Sequence, residues 1–191
     1  MTRFVALLRG INVGGKNKLP MRDLAATFEA AGCTDVETYI QSGNVVYTTT
    51  SDGAAQIPQT IARRIGEQFG LKVPVIVRSS AELDEVVAQN PFLAEGADTD
   101  ALHVAFLADP PRAAAVAALD PQRSPPDHFA VLGKEIYLWL PNGMARTKLT
   151  NAYFDRALST VSTMRNWRTV LTLAQMASRS GGVDEPRHRR G

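Results

Sequence analysis

The sequence predicts an α+β protein of two successive ferredoxin-like halves with antiparallel sheets and an extra C-terminal helix. Short strand-like runs and helical repeats follow the order βαββαβ over about residues 1–80. The same order returns from 102 to 165. The chain is also apolar enough, at 45% hydrophobic and 21% charged, to bury a core over its 191 residues rather than remain disordered. This βαββαβ order is the ferredoxin-like unit, with both helices on one face of its sheet.

Each element of the first half has a local reason. Arg3–Arg9 is strand-like, rich in Phe, Val and Leu. Gly10–Leu19 is a glycine-bearing loop, and Pro20 stands where a first helical residue needs no N–H. Met21, Leu24, Ala25 and Phe28 keep helical spacing, and Gly32 ends that helix. Val36–Ile40 and Val45–Thr49 are strands around the turn-forming Gln41-Ser42-Gly43-Asn44. Ile57, Ile61, Ile65 and Phe69 step along a second helix closed by Gly70, and Val73, Val75 and Val77 alternate along a strand.

Residues 81–100 form a helical linker, with a short helix at Glu82–Gln89 stopped by Asn90-Pro91. The second half, 101–180, contains a strand at Leu102–Leu107 and a helix at Pro111–Leu119. Phe129–Leu132 and Glu135–Leu140 pair across Gly133-Lys134, a type II′ turn composition. A helix over 146–158 and a strand at Val161–Arg165 follow. Asn166 caps a last helix with Trp167, Val170, Leu171, Ala174 and Ala177 on one stripe. Residues 181–191 read as a flexible basic tail. The duplication is one of topology, with no residue-level repeat evident.

Composition narrows the function classes. No apolar run reaches the roughly 18–20 residues of a membrane helix, and the N-terminus lacks the features of a signal peptide. A cytoplasmic protein with no membrane partner is expected, and its oligomeric state is left open. The single Cys33 reads as a small buried hydrophobe and excludes an internal disulfide. His103, His128 and His188 show no ligand spacing, so no metal and no cofactor is expected. No serine-nucleophile motif is present. The net charge of +2 is unevenly spread. Residues 1–22 carry five Lys/Arg and no acid, residues 144–191 nine against three, and the middle seven against sixteen. A fold that joins the two ends would make a positive face suited to anionic partners.

Four segments could carry chemistry. Gly10 to Lys16 fits the phosphate-loop spacing, but Asn17 stands where Ser or Thr must bind a metal ion, and no parallel sheet surrounds it. Loop glycines with Arg9, Lys16 and Lys18 still suit an anion, and equally a tight loop with solvated lysines. Tyr39–Tyr47 offers Gln41, Ser42 and Asn44 at a strand end, although a turn alone explains Gly43 and Asn44. Pro141–Asn151 is a glycine loop leading Arg146 and Lys148 into a helix, where cations oppose the dipole unless an anion is shared. Thr163–Thr169 contributes Arg165 and Arg168 as ligand groups or plain surface charges.

The segments Leu7–Gly15, Tyr39–Val45, Asn90-Pro91-Phe92, Arg146–Asn151 and Thr163–Trp167 together resemble the bacterial domain-of-unknown-function 1697 family. The resemblance runs from about residue 2 to residue 178. It implies an α+β fold of two ferredoxin-like parts. It implies no activity and transfers no catalytic residue.

The preferred reading is a cleft, lined by Gly/Lys loops, that binds a nucleotide, a phosphorylated small molecule or single-stranded nucleic acid. Its ligand-binding set is Arg9, Asn12, Lys16, Gln41, Asn44, Lys148 and Arg165. Loops 10–19, 41–44 and 143–150 should then meet around one cleft. For nucleic acid, Tyr39, Tyr47, Tyr137 and Trp139 would be the stacking surfaces. One alternative is a metal-independent enzyme on a phosphorylated metabolite, weakened by the lack of an evident general base. Another is a protein-interaction module using Glu82, Asp84, Glu85, Glu95, Asp98 and Asp100.

Overall fold

The structure is a computed structural model that describes residues 1–179. The first half runs β1 (Thr2–Leu8), α1 (Met21–Glu29), β2 (Thr34–Tyr39), β3 (Asn44–Thr49), α2 (Ser51–Phe69) and β4 (Val75–Ser79). After α3 (Ser80–Ala88) and α4 (Pro91–Ala94), the second half runs β5 (Leu102–Leu107), α5 (Ala113–Ala117), β6 (His128–Leu132), β7 (Glu135–Trp139), α6 (Asn151–Leu158) and β8 (Ser162–Asn166). It ends in α7 (Trp167–Ser178). The strand orders are β2-β3-β1-β4 and β6-β7-β5-β8, all neighbours antiparallel, so the two sheets share one ferredoxin-like topology.

Both faces of the central strands are apolar because both are covered. In β1, Phe4, Ala6 and Leu8 face α1 and α2 with Leu24, Phe28, Ile57, Ile61 and Ile65. Val5 and Leu7 face the other way, into a core shared by the two halves. That shared core takes Val104, Phe106 and Tyr137 from the second sheet, Leu83 and Val86 from α3, and Val170 and Leu173 from α7. The outer face of the second sheet packs Ala105, Leu107, Ile136 and Leu138 on Leu149, Phe154 and Leu158.

Local chemistry sets the element ends. Thr50, Ser79, Thr150 and Asn166 each cap a helix through the side-chain oxygen. Ser79 and Glu82 complete a reciprocal capping box. Helix α2 starts at Ser51, earlier than its isoleucine stripe suggests, because Thr50 accepts from Gly53 N. The helix expected over 146–158 begins only at Asn151. Thr150 is its cap, and Thr147 Oγ1 turns the chain by accepting from Leu149 N. The β6–β7 turn has positive φ at Gly133 and not at Lys134, as type II′ requires.

Tyr47 and Tyr137 are buried, and Tyr137 donates to Val86 O. Neither is available to stack a base. Trp139 is half-buried against Phe92 and His128. Cys33 is buried, which pushes its thiol up to about 11. No described helix is long and apolar enough to cross a membrane. The tail expected at 181–191 lies outside the described residues.

Candidate functional site: a cleft between the halves

The last strand of each half ends in an arginine followed by a helix cap. These are Arg78-Ser79 on β4 and Arg165-Asn166 on β8. Strand register makes the two arginines equivalent. Leu8 pairs with Val75 as Leu107 pairs with Ser162, and Leu7 pairs with Asn44 as Phe106 pairs with Glu135. Each arginine crosses into the opposite half and binds the same places there. The duplication therefore does extend to individual residues.

Arg78 Nε donates to Glu135 Oε1 at 2.7 Å. Its Nη1 donates to Val77 O, the carbonyl of its own preceding residue, and its Nη2 to Leu107 O and Lys134 O. Arg165 Nε donates to Asn44 Oδ1 at 2.6 Å. Its Nη1 donates to Met164 O and Thr163 Oγ1, and its Nη2 to Leu8 O, Ser42 O and Gly43 O. Both guanidiniums are buried. One difference decides their electrostatics. Arg78 has a carboxylate partner, whereas every described acceptor of Arg165 is neutral. Burial accordingly pushes the Arg165 guanidinium down to about 10.

Two clefts flank these clasps at equivalent positions. The one beside Arg165, about 540 Å³, runs from Leu8–Ile11 past Ile40 and Ser42 to Asn151 and the 163–166 strand end. The one beside Arg78, about 550 Å³, includes Glu82, Asp109 and Lys134. There Lys134 Nζ meets Glu82 Oε1 at 2.8 Å and Glu135 meets Arg78, so both cations are paired within the protein. Burial raises the Glu82 carboxyl, but the Lys134 and Ser79 hydrogen bonds outweigh it and hold the group below the usual carboxylate range.

Of the residues expected to bind a ligand, Arg9 and Arg165 line the Arg165 cleft. Arg9 pairs with Asp155 across the halves and also donates to Ser162 O at 3.2 Å. Asp155 is itself fixed by Ser162 N and Oγ. Asn44 lies beneath the cleft, fully buried, donating to Tyr39 O and Ser42 Oγ while it accepts from Arg165. Asn12 is a latch between loops. It exchanges hydrogen bonds with Leu19 N and O and donates to Gln41 O. Gln41 takes part through that carbonyl, with an exposed side chain. Lys16 and Lys148 are exposed and do not line the cleft, and the backbone N of Lys148 donates to Ser124 Oγ. Loop 143–150 thus contributes none of the described lining, and the first residue of α6, Asn151, stands in its place.

Ser42, offered by the sequence as a polar group but left out of the ligand-binding set, lines the cleft. So do Asn151, Thr163, Asn166 and Thr169, which sequence reasoning did not single out as ligand groups. The hydroxyls and amides of these five offer donors beyond the bonds described. Thr163 Oγ1, Asn166 Oδ1 and Asn151 Oδ1 already accept from Arg165, Thr169 N and Ser162 Oγ, which leaves their hydrogen-bearing groups available. Among the described lining residues there is no carboxylate, imidazole or thiol.

Fold and cleft define a class: a duplicated ferredoxin-like α+β protein whose halves clasp each other through two buried arginines, with a cleft beside each. A family model described as protein of unknown function, DUF1697, matches residues 1–137, and the chain belongs to that family. A solved structure, the conserved bacterial protein SP0830 from Streptococcus pneumoniae, is similar over 92% of this chain and 98% of its own, with a TM-score of 0.70 and 24% identity. That likeness shows the shared fold. No curated protein matches the chain.

Proposed function

We propose that the protein binds a small anionic ligand, of the phosphorylated-metabolite or nucleotide class, in the cleft beside Arg165. The observation that carries this reading is the buried guanidinium of Arg165, coordinated by neutral oxygens, where its counterpart Arg78 has Glu135. A desolvated cation without a counter-ion raises the potential of the adjoining cleft, and an anion there would offset its desolvation. Ser42, Asn151, Thr163, Asn166 and Thr169 supply neutral donors for such an anion, and Arg9, although paired with Asp155, places a second guanidinium in the lining. The lack of an acid–base group among the described lining residues favours binding over proton-transfer catalysis. Buried Tyr47 and Tyr137 favour a small ligand over a stacked single strand.

The test is a thermal-shift screen at low salt with nucleotides, sugar phosphates and inorganic phosphate. A ligand at 100 times its Kd adds about 2.7 kcal/mol, and each kcal/mol moves the midpoint of a chain this size by roughly 2–4 °C. A shift that Thr169→Val and Asn151→Ala both remove supports the cleft. A flat screen on stable protein refutes it.

A further inference from the structure

Five residues other than glycine have positive φ among those described: Asn12, Asn17, Asp35, Ile40 and Ser159. Four are small and polar, the types that tolerate this region. Ile40, with φ +48°, is the exception. A β-branched side chain clashes with its own backbone there, and such strain persists only where the surroundings impose it. The strain does not secure burial, since Ile40 is 49% exposed. It lies instead at the mouth of the Arg165 cleft, together with Val13, which is 62% exposed. Leu8, Ile11 and Met164 continue the apolar lining inward, toward Arg9 and Arg165. The cleft therefore joins a cationic floor to an apolar rim, and one rim residue is held in a costly conformation with its side chain in solvent.

We infer that Ile40 and Val13 form an apolar subsite that receives the hydrophobic body of an organic anion whose charged end is held toward Arg9 and Arg165. The inference rests on the anion-binding reading above and adds the class of ligand: an aryl or alkyl phosphate rather than a bare inorganic ion. Burying the exposed side chains of Ile40 and Val13 against such a body supplies affinity that inorganic phosphate cannot obtain.

Calorimetry with inorganic phosphate, phenyl phosphate and phenol, on the native chain and on Ile40→Asn, tests it. Asn accepts positive φ and removes the apolar surface. Phenyl phosphate should bind native protein about tenfold more tightly than inorganic phosphate, a difference of about 1.4 kcal/mol. Ile40→Asn should cut that ratio to near one, leave phosphate affinity within about twofold, and raise the thermal midpoint by about 2 °C as strain is released. Equal binding of the two phosphates by native protein overturns the subsite and leaves the anion reading standing. Phenol binding as tightly as phenyl phosphate also overturns the inference, because the charged end would then contribute nothing to binding. An unchanged ratio or a lower midpoint in Ile40→Asn makes Ile40 a packing residue and overturns the inference. Binding of neither phosphate overturns both readings.

Discussion

The two arginine clasps have the same geometry but different charge balance, one neutralised and the other positive. Arg78 and Arg165 leave equivalent strands, cross to equivalent carbonyls, and each satisfies one acceptor side chain with Nε. At one clasp that acceptor is Glu135 and at the other Asn44. A carboxylate and an amide accept the same hydrogen bond at nearly the same distance, so packing and topology tolerate either. The contrast separates what the clasp needs for structure, an acceptor, from what it can do for a ligand, which depends on whether the charge is already neutralised.

Breaking the clasps should expose that contrast. Arg78→Met leaves Glu135 as a half-buried, unpaired carboxylate and should destabilise by about 3–5 kcal/mol. Arg165→Met leaves only neutral acceptors unsatisfied and removes an uncompensated charge, so its loss should be smaller, about 1–3 kcal/mol. Urea denaturation of both variants checks the order, and a larger loss for Arg165→Met would contradict the charge-balance account.

Glu135→Gln sharpens the comparison by making the first clasp resemble the second. Its expected cost is about 1–3 kcal/mol, and it should give the Arg78 cleft a phosphate response that native protein lacks there. Thermal shifts with the Arg165 cleft blocked by Thr169→Val would read that response.

How far these features were legible in the chain depends on the length scale of their causes. Strands and helices followed from alternation and from Ile57, Ile61 and Ile65, because those patterns act within one element. The start of α6 was misplaced because Thr147 turns the chain where Arg146–Leu149 permits a helix by composition. The clasp was hidden for a different reason. Most of its acceptors are backbone carbonyls, such as Leu8 O and Leu107 O, and carbonyls leave no mark on a sequence. A visible trace did exist. Arg-cap pairs at 78–79 and 165–166 are each followed by aliphatic residues at the same spacing, Leu83 and Val86 in one case, Val170 and Leu173 in the other.

The smallest predicted effect concerns pH. His103 is half-buried on β5, and desolvation lowers its imidazole below the ordinary 6.5 despite the Ala101 carbonyl nearby. The unfolded chain therefore takes up that proton first. The stability tied to neutral His103 is complete above pH 6.5 and falls as pH drops through the folded value. His103→Gln should flatten the dependence of the midpoint between pH 7 and pH 5, and an unchanged slope would assign it to other groups.

The reciprocal crossing of Arg78 and Arg165 is the contact pattern of an isologous dimer, in which a residue of each partner reaches the same spot on the other. Here both partners belong to one polypeptide, joined through α3 and α4. A short tether of this kind sets an effective concentration of order millimolar. Association that would be concentration-dependent between separate chains becomes independent of dilution. Once tethered, the two copies no longer need identical surfaces, and Asn44 opposite Glu135 is a difference that a symmetric pair of chains could not hold.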